Sequence, residues 1–93
     1  MADPIILRVL TQEGAVIEEA AASVIAPGEV GYLGMLRNHA PLVTTLKPGT
    51  LSWRKSNGTT RALRIGDGLL EIAKNRCTVL TSSVTEPTSA AAH

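Results

Sequence analysis

Three stretches of this chain alternate apolar and polar side chains with a period of two, and that period restricts the fold more than any other feature. In residues 5–10, Ile5, Leu7 and Val9 share one face and Arg8 lies on the other. In residues 50–55, Leu51 and Trp53 oppose Thr50, Ser52 and Arg54, and in residues 59–65, Leu63 and Ile65 oppose Thr60, Ala62 and Arg64. A helix repeats every 3.6 residues, so these segments predict half-buried strands. Val, Ile and Thr supply 23 of the 93 residues, and their branched side chains suit a pleated surface. Residues 18–23 (Glu-Glu-Ala-Ala-Ala-Ser) have helix propensity, but six residues are too few for a stable helix alone. They run directly into strand-like Val24-Ile25-Ala26-Pro27 and are read as extended.

Turn residues divide the apolar segments at short spacing: Gln12-Glu13-Gly14, Pro48-Gly49, Asn57-Gly58, Gly66-Asp67-Gly68 and Asn75-Arg76. Asn57 and Gly58 both tolerate positive φ, which predicts a tight hairpin there. Many short strands with such punctuation imply a single all-β domain, a sandwich or a barrel, with little or no helix. From Ser82 onward the composition is that of a frayed tail; the domain is set at residues 1–86 and a flexible tail at 87–93.

Several functions are disfavoured. Nine Lys and Arg against eight Asp and Glu give a net charge of +1, without the basic stripe that nucleic acid requires. No apolar run exceeds three residues, far short of a membrane-spanning helix. The Met-Ala-Asp-Pro start lacks the features of a signal peptide. A lone Cys77 cannot close an internal disulfide and suits a reducing compartment; it is expected to be a small buried apolar residue. The chain is therefore expected to be soluble and intracellular.

Catalytic patterns are missing. Two histidines and one cysteine are too few for a metal site, and no Gly-x-Ser-x-Gly or phosphate-binding glycine loop occurs. Glu18 and Glu19 are adjacent and would face opposite sides of a strand, so they cannot act as a carboxylate pair. With no Phe in the chain, Trp53 is expected to anchor the core or its edge. Glu71, between Leu70 and Ile72, is expected to point outward and pair with Arg64 or Lys74. Residues 27–41, Pro-Gly-Glu-Val-Gly-Tyr-Leu-Gly-Met-Leu-Arg-Asn-His-Ala-Pro, carry glycines at 28, 31 and 34. They are read as a long, tightly turning loop whose apolar side chains could form a docking surface.

That stretch resembles the epsilon subunit of the rotary F-type ATP synthase. The likeness rests on Pro27-Gly28, Gly31, Leu33-Gly34, Leu36, His39-Ala40-Pro41-Leu42 and Leu46-Lys47-Pro48-Gly49. It continues through Ile65-Gly66, Gly68, Leu70-Glu71-Ile72, Asn75 and Val79-Leu80. The resemblance implies a ten-stranded β-sandwich that links the gamma subunit to the ring of c subunits. It thereby couples rotation to ATP synthesis without catalysing anything itself and without a cofactor. It implies that Glu29, Val30, Gly31 and Tyr32 face the c ring, and that His39, Pro41, Leu42, Val43 and Thr44 face gamma. Tyr32 stands where many relatives have an acidic residue; Glu29 could supply that charge, or Tyr32 could substitute packing and a phenolic hydrogen bond. Arg54, Arg61 and Arg64 form either a solvated face or a basic stripe toward gamma.

Relatives continue into two C-terminal helices that inhibit hydrolysis. The sequence ends at His93, before any such segment, so inhibition and nucleotide sensing are not carried over. The isolated chain is expected to be monomeric and to reach the cytoplasmic face of a bacterial inner membrane only peripherally, through the complex. The competing functional expectations are a stand-alone regulatory sandwich binding a small molecule or nucleotide and, more remotely, a hydrolase using His39.

Overall fold

A computed structural model describes residues 3–86. They form ten strands and, among the described residues, no helix: β1 (Ile5–Thr11), β2 (Gly14–Ala21), β3 (Ser23–Gly28), β4 (Gly31–Leu36), β5 (Leu42–Leu46), β6 (Gly49–Arg54), β7 (Thr60–Ile65), β8 (Gly68–Ala73), β9 (Arg76–Thr81) and β10 (Val84–Thr85). One continuous sheet runs β10-β7-β6-β3-β5-β8-β9-β1-β2, with β4 beside β3. It curls so that β5-β8-β9-β1-β2 forms a front layer and β4-β3-β6-β7-β10 a back layer. Every pairing is antiparallel except β1 with β9. The ten-stranded sandwich expected above is thus observed.

The period-two residues fill the space between the layers. Ile5, Leu7 and Val9 from β1, Leu51 and Trp53 from β6, Leu63 and Ile65 from β7, and Leu70, Ile72, Cys77 and Val79 from β8 and β9 are all buried. Trp53, 1% exposed, is the largest fully buried side chain. Residues 18–21 are extended within β2, so partners in the sheet outweigh local helix propensity.

Three local expectations need correction. Residues 27–41 are not one loop. β3 and β4 make a hairpin in which Gly28 opposes Gly31 and only Glu29 and Val30 turn. Of its glycines only Gly31 has a positive φ, 139°. The loop reading failed because glycines at three-residue intervals look like turn punctuation, yet Gly34 sits flat in β4 opposite Ile25. The Asn57-Gly58 hairpin is wider than a two-residue turn. Gly58 N–H donates to the Lys55 carbonyl, Lys55 N–H donates to Thr59, and Gly58 alone takes positive φ. Asn57 instead caps with its side chain, accepting the Thr59 N–H at 2.9 Å. Finally, Val84 and Thr85 are not frayed: they pair with Ile65 and Arg64 as β10. The tail proposed for 87–93 lies outside the described residues.

An ion cluster closes the edge where β2 meets β6 and β7. Glu19 lies on the side of β2 opposite Glu18, as adjacent strand residues must. Its Oε1 accepts the Trp53 indole N–H at 2.9 Å and lies 3.4 Å from Lys55 Nζ, while Oε2 takes a bond from Arg61. Arg61 also lies over the Trp53 ring, 5.5 Å from its centroid, an attractive cation–π arrangement. The indole hydrogen bond, together with the positive charges of Arg61 and Lys55, outweighs partial desolvation. Glu19 is thereby held below the ordinary value of 4.5.

Two stability measurements follow from this architecture. A Cβ on Gly68 would lie 2.0 Å from the backbone carbonyl oxygen of Leu80, which no side-chain rotation relieves. Gly68→Ala should therefore cost about 3 kcal/mol, the upper part of the overpacking range, and lower Tm by roughly 10–20 °C in a thermal melt. For Glu19 the folded value is depressed relative to the unfolded chain. Its ionised carboxylate stabilises the fold fully above the ordinary value, and that contribution vanishes as pH falls through the lowered one. The melting difference between wild type and Glu19→Gln should be constant at neutral pH, about 1.5–3 kcal/mol for a charged hydrogen-bond acceptor, and should shrink in acid below pH 4.5.

Candidate functional site

The outward side chains of the front layer alternate with the core residues. Across β5, β8, β9 and β1, register aligns Thr45, Leu69, Leu80 and Leu10 in one row, and Val43, Glu71, Thr78 and Arg8 in the next. Leu69, Leu80 and Val43 are exposed, Leu80 by 50% and Val43 by 63%. Leu10, Leu69 and Leu80 also line the wall of a groove of about 730 Å³ at the end of the sandwich, together with Lys47 and Asp67. Lone exposed leucines are ordinary, but adjacent ones in register on a complete sheet make a surface suited to docking. Arg8 and Glu18, 3.4 Å apart, form an ion pair beside it.

The β3–β4 hairpin projects a second surface. Val30 at its tip is fully exposed. Glu29, by contrast, is turned back: its Oε1 accepts the Thr45 hydroxyl at 2.8 Å. Tyr32 is 61% exposed, and its phenolic oxygen accepts the Thr50 N–H at 3.1 Å. Gly49 opposite it is required, since a Cβ there would meet that oxygen at 2.7 Å and the Pro27 Cβ at 2.9 Å. Tyr32 thus makes the phenolic hydrogen bond considered for it, but within the molecule.

The segment 39–44 divides between faces. Val43 points outward; Leu42 packs against the core, and Thr44 shares its side of β5. His39 is half-buried in the connection between β4 and β5. Its N–H donates to the Leu36 carbonyl at 3.2 Å, and Nδ1 lies 2.6 Å from the Ala40 carbonyl, where it can only donate. Asn38 and Asn75, both with left-handed φ (66° and 61°), face one another across the sheet. Asn38 N–H donates to Asn75 Oδ1 at 2.6 Å, and Asn75 Nδ2 donates to Asn38 Oδ1 at 3.2 Å. Sequence reading did not find this pair; two asparagines beside turns were its only trace.

The three arginines do not form one stripe. Arg54 and Arg64 lie on the outer side of the back layer, whereas Arg61 pairs with Trp53 on the opposite side and turns into the Glu19 cluster. Period two places Arg61 with Leu63 and Ile65, so the signal was present. Glu71 is exposed, with no ion-pair partner within 4 Å among the described residues; Arg64 belongs to the other layer. Burial pushes the Cys77 thiol up to about 12, the opposite of what a nucleophile needs. Among the described residues no three His, Cys, Asp or Glu side chains converge on a point that could hold a metal, and no helix is long and apolar enough to cross a membrane.

Residues 5–87 match the family described as the beta-sandwich domain of the ATP synthase delta/epsilon chain. The ATP synthase epsilon chain of Desulfatibacillum aliphaticivorans is 42% identical over 83 residues, covering 89% of this chain and 59% of that protein. The epsilon chain of Acidithiobacillus ferridurans is 44% identical over 89 residues, covering 95% of this chain and 62% of that protein. This chain therefore spans about three fifths of the length of such relatives. A chain in the cryo-EM structure of the Euglena gracilis mitochondrial ATP synthase (OSCP/F1/c-ring) superposes with a TM-score of 0.85 over 92% of this chain and 55% of that chain, at 22% identity. One in the Tetrahymena thermophila mitochondrial ATP synthase central stalk/c-ring gives 0.73 over 91% of this chain and 68% of that chain, at 14%. At these identities the structural likeness establishes the fold.

Proposed function

The chain belongs to the ATP synthase delta/epsilon β-sandwich family, and on that premise we propose that it is a non-catalytic subunit of the rotor's central stalk, joining the gamma subunit to the c ring. The observation that carries this reading is the row of Leu10, Leu80 and Leu69, flanked by Val43, lying outward on a sandwich whose core is already complete. Those side chains contribute nothing to the interior. Covered by a partner, they would add hydrophobic binding energy, at about 25 cal/mol per Å² of apolar area removed from water. Gamma occupies this face, with His39 and Pro41 at its border. Leu42 and Thr44, on the core side of β5, act by holding Val43 outward rather than by touching gamma.

The hairpin tip meets the ring. Val30 is its foremost side chain, and Gly31 supplies the positive φ that brings the chain back. Tyr32 offers the exposed part of its ring; its hydroxyl is already engaged by Thr50. Glu29 is held by Thr45, so contact with the ring is chiefly one of shape and apolar packing. No bond is made or broken in this domain. It acts as a stiff wedge, so that a turn of the ring becomes a turn of gamma. The chain is thus peripheral to the energy-transducing membrane, on its cytoplasmic face in a bacterium.

Surface substitutions separate the two interfaces. Leu80→Glu should leave the melting curve nearly unchanged, as substitutions on open surface do. It should weaken binding to gamma at least tenfold, or about 1.4 kcal/mol, in isothermal titration of the two subunits. Unchanged affinity would remove the front layer from the interface. Val30→Asp should keep both the fold and gamma binding but reduce co-purification of the gamma pair with the c ring; full retention of the ring would show that the tip does not bear on it.

A further inference from the structure

Asn75 holds three parts of the front layer together. Its backbone carbonyl accepts the Ile6 N–H at 2.8 Å, tying the β8–β9 turn to the start of β1. Its side chain exchanges two hydrogen bonds with Asn38, tying the same turn to the connection between β4 and β5. The left-handed angles at 38 and 75 would be met by glycine. What asparagine adds is the two-way amide clasp.

The clasp fixes the residue immediately before His39. Beyond it the backbone is held by the His39 N–H bond to Leu36, and the imidazole by Ala40. Arg37, Asn38, Ala40 and Pro41 are exposed and His39 is half-buried, so hydrogen bonds more than packing define the shape of the connection. A segment already ordered before a partner arrives loses less conformational entropy on binding.

We propose that Asn75 and Asn38 are positioning residues for the gamma interface: their clasp preorders the His39 connection at the border of the apolar front face, so that gamma meets one shape of it. This rests on gamma occupying that face. Neither asparagine needs to touch gamma.

The test is Asn75→Gly, which keeps the left-handed turn and deletes both bonds of the clasp, with Asn38→Gly, which deletes only the Asn75 Nδ2 bond, as a partial counterpart. Hydrogen exchange of the Asn38 amide, in this chain alone, should be slow in wild type and at least tenfold faster in Asn75→Gly, while the β1 and β9 amides keep their protection. Titration with the gamma subunit should show affinity about tenfold weaker in Asn75→Gly, and a smaller loss in Asn38→Gly, which keeps the Asn38 N–H bond to Asn75. Combined with His39→Ala, the loss should be less than the product of the single losses, because both act through the same segment. Asn75→Asp, which retains the acceptor for Asn38 N–H, should recover most of the affinity. If wild type binds gamma and Asn75→Gly binds equally well, or if the two losses multiply independently, the positioning role is wrong. If wild type itself does not bind gamma, the rotor reading falls and this role falls with it.

Discussion

The fold depends on Pro27 lacking an N–H. Along β3, Ser23, Val24 and Ile25 pair with β6, but at Gly28 the partner has become Leu46 of β5. In a strand the N–H and C=O of one residue point to the same edge. The Pro27 carbonyl accepts Lys47 N–H at 2.9 Å, so its missing donor lies on that edge too, and the ladder to β6 can end there with no donor left unsatisfied. The chain can then leave one layer and join the other. Gly49, at the start of β6, lets Pro27 and the Tyr32 phenol approach where a Cβ would collide. That change of partner makes the two layers one continuous sheet, and their inner faces bury one another.

Much of this was legible in the sequence, and the parts that were not have a common reason. Period two identifies Ile5, Leu7, Val9, Leu51, Trp53, Leu63 and Ile65 as core because alternation is local, and the sheet enforces it. The exchange of partners at Pro27 is not local: its reason lies in Lys47 and Gly49, some twenty residues away. The same holds for the Asn38–Asn75 clasp and for the Glu19 cluster, whose members come from β2, β6 and β7 and from the turn after β6. Asn38, Asn75, Glu19 and Lys55 look like ordinary surface polar groups until the sheet brings their partners up. Val84 and Thr85 are too short a stretch to carry a period; β7 supplies the edge that makes them a strand.

The candidate site shows the same division. The family blocks drew attention to the β3–β4 hairpin and to the segment that leads into β5. They were read as continuous stretches, however, whereas a strand presents alternate residues. Of Leu42, Val43 and Thr44 only Val43 faces outward, and the exposed Leu69 and Leu80 and half-buried Leu10, which lie outward on the same layer, come from three other strands. Strand register, not sequence proximity, assembles that surface. Hydrophobic identity alone could not separate Leu69 from its neighbour Leu70, which is fully buried.

If the domain transmits torque through two small surfaces, as proposed, it must keep them in fixed relation. The tip would be a poor lever if the β3–β4 hairpin could swing about its base, since a two-stranded ribbon is flexible and barely stable alone. β3 is tied to β6 and β5 along its backbone, and two side-chain bonds add to the restraint near the tip: Glu29 with Thr45 and Thr50 with Tyr32. They run to β5 and β6, one in each layer, from opposite strands of the hairpin or its turn. Thr45 is itself in the outward row with Leu69 and Leu80. A side chain that restrains the tip therefore belongs to the face proposed for gamma, and on that reading a load entering at Val30 reaches that face through the Glu29–Thr45 bond. On that reading Glu29, engaged by the Thr45 hydroxyl, serves as a strut rather than as a free charge directed at the ring.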